Sequence, residues 1–128
     1  MTGSSDLTLQ AVRLALGVTQ LRADVASRNI ANASTPGAQL MRADFGSSQG
    51  LLERAAAPGA TGEGNLADAI AAALSQPAGA ERQDISGASI NLDEQVADMA
   101  TANLEYQSLT ESLNRHFGLM RLAISGRN

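Results

Sequence analysis

The chain has 128 residues, a net charge of −4, no cysteine and no lysine; 44% of its residues are hydrophobic but only 2% are aromatic. That length fits one modest domain, or two helical ends around a thinly packed middle. The acidic balance and the absence of basic runs argue against nucleic acid, whose phosphates require clustered Lys or Arg, and the missing cysteines remove disulfides and thiolate chemistry. Phe45, Phe117 and Tyr106 are the whole aromatic set, so any core is aliphatic, which suits narrow helix seams better than a thick interior. The N-terminus lacks the basic start and unbroken apolar run of a secretory signal, and no apolar stretch reaches about 18 residues. The expectation is a protein without a cleaved signal peptide and without direct membrane insertion.

Residues 1–32 read as an N-terminal heptad helix. From Asp6 to Asn32 there is no proline, and Gly17 is the only glycine. Leu7, Ala11, Leu14, Val18, Leu21 and Val25 alternate in steps of four and three, which aligns them along one stripe of a helix on the order of 40 Å long.

Residues 33–90 differ in kind, holding all three prolines and eight of the twelve glycines. The stretch from Ala57 to Gly64 reads as a mobile linker. Leu66 to Leu74 has good intrinsic helix propensity and places Leu66, Ile70 and Leu74 on one face, so a short helix is expected there. The remainder of the middle is expected to be irregular.

Residues 91–128 read as a C-terminal heptad helix. Leu92, Val96, Met99, Asn103, Tyr106, Thr110, Leu113, Phe117, Met120 and Ile124 repeat the alternating spacing, with Asn103 and Thr110 as polar members. Asn91 and Glu94 have the spacing of a capping box, and charge follows the helix dipole, acids first and Arg115, Arg121 and Arg127 last. The fold class expected is therefore all-α. The long N- and C-terminal helices pack as an antiparallel coiled-coil-like pair, one discontinuous helical domain around an irregular middle with one candidate short helix. The helix-pairing seam is expected to use Leu7, Leu14, Val18, Leu21 and Val25 against Val96, Met99, Tyr106, Leu113, Phe117, Met120 and Ile124. Leu9, Val12, Leu16 and Ile30 lie off the first stripe, and Leu104, Leu109, Leu119 and Leu122 off the second. Such helices have neighbours on more than one side, either the middle segment folded back or other subunits.

No residue pattern supports catalysis. His116 is the only histidine and cannot build a multi-His metal site alone. Asp93 and Glu94 are adjacent on a helix and point in different directions, serines lack a nucleophile motif, and Gly62 and Gly64 follow no strand that would make them a phosphate loop. The expectation is no enzyme and no cofactor.

One run carries more information. Asn29, Ile30, Ala31 and Asn32 close the first helix, and Thr35, Pro36 and Gly37 follow. Asn32 is expected to end the helix in the left-handed conformation. Pro36 forces Thr35 out of helical geometry, and Pro-Gly suits the centre of a type II turn. As a whole the run resembles the N-terminal signature of the flagellar rod and hook family, which generally carries an aromatic where this chain has Ala38. Gly87 to Gln95 resembles the segment opening that family's last helix, Asn103 to Gln107 resembles its N-x-x-Y-Q pattern, and Phe117 to Gly126 is similar to the close of its short proximal members.

The resemblance implies a self-assembling structural subunit of the proximal rod, exported through the flagellar type III apparatus and residing in the periplasmic rod of the basal body. Implied partners are copies of itself, the other proximal rod proteins and the hook–basal-body protein that joins rod to membrane ring. The alternative reading is a soluble helical-hairpin binding module, such as an export adaptor or secreted effector.

Overall fold

A computed structural model describes residues 3–57, 64–84, 87 and 89–126. In chain order the elements are α1 (Gly3–Asn32), β1 (Met41–Asp44), α2 (Ser48–Ala56), α3 (Gly64–Leu74), β2 (Ala80–Gln83) and α4 (Leu92–Ser125). Most of the expected linker, residues 58–63, lies outside the described residues, as does Ala88 of the segment from Gly87 to Gln95.

The long terminal helices form as the heptads require and pack together. They run antiparallel: Asn29 near the end of α1 meets Gln95 near the start of α4, while Leu9 and Val12 share a cleft with His116 and Leu119 at the opposite end. At its start α4 is capped by Asn91, whose side-chain oxygen accepts a hydrogen bond from the Glu94 N–H at 3.3 Å, satisfying one of the orphan donors of a helix start. The fold is thus mostly helical, as expected.

α1 is the central element. α4 lies along one side of it, and α2, α3 and β1 lie on the others. The main apolar cluster joins Leu7 and Leu14 of α1 to Leu51 of α2 and to Leu66 and Ile70 of α3, with Ile70 fully enclosed. Each such side chain contributes roughly 1.5–3 kcal/mol on burial. α3 forms where its propensity indicated, and Leu66, Ile70 and Leu74 all turn toward this cluster.

The middle is more ordered than its glycine and proline content suggested, and this corrects the expectation of an irregular segment. α2 is a second short helix, bracketed by Gly46 and Pro58, whose Leu51, Leu52 and Ala55 pack on the core. Alone it is too short to be stable, and burial against α1 and α3 supplies what its length cannot. β1 and β2 form a two-stranded antiparallel sheet, the one departure from all-α among the described residues, with Met41 opposite Gln83 and Asp44 opposite Ala80. Arg42 and Arg82 face each other across the pair, an arrangement that would repel. Each has an acid instead: Arg42 binds Asp84 at 2.5 Å and Arg82 binds Asp44. Arg28 of α1 ties the sheet down through Glu81 at 2.6 Å.

Two glycines mark where backbone crosses α1. A Cβ on Gly79 would lie 2.2 Å from the Asp44 carbonyl oxygen, 2.8 Å from Leu21 Cδ2 and 2.9 Å from Phe45 Cα. On Gly17, inside α1, a Cβ would come within 3.1 Å of the Ala78 Cβ. Glycine in a helix interior costs about 0.5–1 kcal/mol relative to alanine; here it lets the chain from Ala78 to Gly79 lie close against the helix.

The two kinds of glycine are expected to respond oppositely to alanine. Gly79→Ala should destabilise the fold by about 1–3 kcal/mol through overpacking against backbone. Gly118→Ala, on α4 with nothing within 4 Å of the added Cβ, should stabilise it by about 0.5–1 kcal/mol. Urea or thermal unfolding of the purified variants measures both.

Candidate functional site

The last turns of α1 bring three elements together through one side chain. Asn29 is 1% exposed. Its Nδ2 donates to the Met41 carbonyl and to Gln95 Oε1, both at 2.9 Å, and its Oδ1 accepts the Met41 N–H at 2.9 Å. The amide thus pairs with the Met41 peptide as a neighbouring strand would, while its remaining proton holds α4. Gln95 is itself buried, so both amides find partners where water cannot supply them.

The turn after α1 makes this return possible. Ala38 N–H donates to the Thr35 carbonyl at 3.2 Å, and Gly37 has φ 77°. A bonded i to i+3 pair with a left-handed third residue, after Pro36, is the geometry of a type II turn. Leu40 is then buried and Met41 lies beside Asn29. Asn32 departs from its expected conformation: no described residue other than glycine has positive φ. The helix instead closes by tight bonds, from Ala33 N–H to the Ile30 carbonyl at 3.2 Å and from Thr35 N–H to the Asn32 carbonyl at 3.0 Å. These satisfy terminal carbonyls without a left-handed cap. Within the motif Asn29 is buried, Ile30 is half-buried, and Ala31, Asn32, Thr35, Pro36 and Gly37 are exposed.

The seam residues fall into two groups. On α1, Leu7, Leu14, Val18 and Val25 are buried and Leu21 is half-buried. On α4, Met99 and Leu113 are half-buried, whereas Val96, Tyr106, Phe117, Met120 and Ile124 are exposed. The residues that α4 buries fully are Gln95 and Ala102, with Leu109 and His116 half-buried at the same seven-residue interval. α4 therefore meets α1 along Gln95, Ala102, Leu109 and His116, with Met99 and Leu113 of its apolar stripe beside them, while Val96, Tyr106, Phe117, Met120 and Ile124 look outward. Leu104, Leu119 and Leu122 are also exposed, at 68%, 62% and 67%.

Polar contacts frame the helix pair. Arg22 binds Glu105 across it at 3.1 Å, and its guanidinium lies 5.3 Å from the centre of the Phe45 ring. The ion pair is partly exposed and contributes at most about 1 kcal/mol. The hydrogen bond from Asp84, then its charge, raises the pKa of Arg42 above the usual guanidinium value, so this arginine stays charged. Gln95, Asp84 and Phe45, which complete these contacts, have no signature in the sequence; only a buried Gln at heptad spacing from Ala102, Leu109 and His116 could have marked the packed stripe.

His116 sits half-buried beside Phe117, with ring centres 6.4 Å apart. No group of His, Cys, Asp or Glu among the described residues could hold a metal ion, and no helix among them is long and apolar enough to cross a membrane.

The interlocked helix pair leaves an apolar stripe of α4 turned outward. Residues 2–39, which span α1 and the turn that locks it, match the model of the family described as flagella basal body rod protein. In this N-terminal segment the chain is similar to the flagellar basal body rod proteins. No curated protein and no solved structure matches the chain.

The Asn29 amide is expected to dominate the local energetics. Asn29→Ala strands the Met41 N–H and carbonyl and the Gln95 amide, and should cost about 2–4 kcal/mol. Gln95→Ala alone should cost less, and a double-mutant cycle read by urea unfolding should give a coupling of about 0.5–3 kcal/mol between the two.

Proposed function

We propose that this rod-family chain is a subunit of the proximal rod, self-assembling through its terminal helices. The observation that carries the reading is the outward stripe of α4. Val96, Tyr106, Phe117, Met120 and Ile124 are between 41% and 71% exposed on one helix, and monomeric proteins rarely leave so long an apolar surface uncovered. The family match places a rod-protein segment on the helix beside it. The middle is short, and its described residues form two small helices and two strands. The closing run from Phe117 to Gly126 adds a likeness to the proximal rod protein FlgB.

On this reading the subunit passes unfolded through the flagellar type III export apparatus and joins the rod in the periplasm. Its neighbours are further copies, the other proximal rod proteins and the hook–basal-body junction protein. The exposed seam residues of α4, Val96, Tyr106, Phe117, Met120 and Ile124, form its assembly surface, and the motif from Asn29 to Gly37 fixes the helix pair that presents them.

Deleting the gene should abolish swimming and leave basal bodies without a complete rod in electron micrographs. Normal motility and intact rods would overturn the proposal and favour a helical-hairpin binding module. Pro36→Ala combined with Gly37→Ala should remove the turn, let α1 run on, and reduce incorporation of the subunit into purified basal bodies. Wild-type incorporation of that variant would remove the turn from the assembly argument.

A further inference from the structure

The two ends of α4 carry complementary features that cannot meet within one molecule. Near its start, α1, β1 and α4 enclose an open cleft of about 500 Å³ floored by Val25, Ala26, Leu40, Phe45 and Ala102. Its rim holds Arg22 and Arg42, each already ion-paired, with Glu105 and Asp84 respectively. Glu94 and Asp98 share that rim, and neither makes an ion pair among the described residues. Glu94 adds only a minor attraction to Arg42, so the mouth of the cleft retains a negative excess.

Near the other end, Phe117, Met120 and Ile124 lie on one exposed face at steps of three and four, and Arg121 lies among them. Arg121 makes no ion pair among the described residues. The result is an apolar ridge bearing one free positive charge. From Asp98 to Arg121 the helix rises roughly 35 Å at about 1.5 Å per residue, so the ridge cannot reach its own cleft.

The geometry points to a head-to-tail contact in which the Phe117–Met120–Arg121–Ile124 ridge of one copy enters the cleft of a second copy, with Arg121 meeting Glu94 and Asp98. Both halves of the match are on the same chain, which makes a second copy the occupant. The contact joins two different patches, so it is heterologous and repeats head to tail, each copy offering its ridge to the next. The apolar ridge supplies the burial, and the charges set which end meets which. This contact deepens the rod-subunit reading and rests on it, because it specifies which faces of neighbouring copies touch.

Charge exchange in the purified full chain tests it. Arg121→Glu and the pair Glu94→Arg with Asp98→Arg should each weaken self-association in sedimentation velocity by about tenfold or more. All three changes combined in one chain should restore it, because attraction returns with its polarity reversed. Circular dichroism checks that each variant keeps its helices; all three positions are exposed. Single variants that associate like wild type, or a combined variant that stays as weak as they are, would overturn the contact. A wild-type chain that remains monomeric at all concentrations would overturn the second copy as occupant.

The lack of native cysteine allows a second, geometric readout. Thr101→Cys lines the cleft and Asn114→Cys flanks the ridge, and roughly 20 Å of helix separates the two positions, beyond the reach of a disulfide within one chain. Oxidising a mixture of the two variants should give the crossed dimer, and a chain carrying both should give a ladder. Crossed dimers no more abundant than like-with-like dimers would overturn the arrangement. These outcomes are independent of the deletion strain: rods lost on deletion, with indifferent charge and crosslinking variants, would sink this contact and leave the rod reading standing.

Discussion

A single buried carboxamide holds the end of α1, the first residue of β1 and the start of α4 in one place. Asn29 can do this because its side chain offers a peptide's donor and acceptor together with a second donor, and all three find partners at 2.9 Å. Asp or Leu would fit the space but not the pattern, since one has no N–H and the other no polar atom. Because the partners are buried, failure to pair is costly, and the cost specifies the arrangement. The antiparallel register of the long helices and the path of the chain leaving α1 follow from the same three bonds.

Around that clamp, α1 works as a shared wall. Its first half packs on α2 and α3 through Leu7 and Leu14, and its length also carries α4. This explains why α1 is apolar beyond one stripe. The apolar residues off its heptad are half-buried, Leu9 and Val12 beside α4, whereas Leu104, Leu119 and Leu122 of α4 face outward. The two terminal helices thus solve opposite problems, one filling an interior and the other presenting a surface.

Much of this was legible in the residues. Proline-free heptads predicted α1 and α4, the Leu66–Ile70–Leu74 face predicted α3, and Pro-Gly predicted the turn that Gly37 completes. What was not legible depends on contacts between distant residues. The four-residue strands β1 and β2 are too short and too charged to show alternation, and are anchored by contacts far apart in sequence, Asn29 to Met41 and Arg28 to Glu81, with the partly exposed pairs Arg42–Asp84 and Arg82–Asp44 adding little. α2 is too short to read by period and stands on its burial. The side of α4 that meets α1 was hidden because the packed stripe is the more polar one, carrying Gln95 and His116. Hydrophobic spacing locates the greasiest face of a helix, and here that face is not the one the monomer uses.

The layering of the helices also has a mechanical consequence. α1 is braced by α4, by the α2–α3 pair and by the sheet, while α4 has α1 as its only neighbouring element among the described residues. Such a strut is stiff in the plane that contains both long helices, where bending must stretch one and compress the other. It yields more easily across that plane, where the two bend together. The short helices brace α1 near Leu7 and Leu14 and the sheet braces it near Asn29, so α1 is the stiffer member of the pair and α4, open on its outer face, the more compliant one.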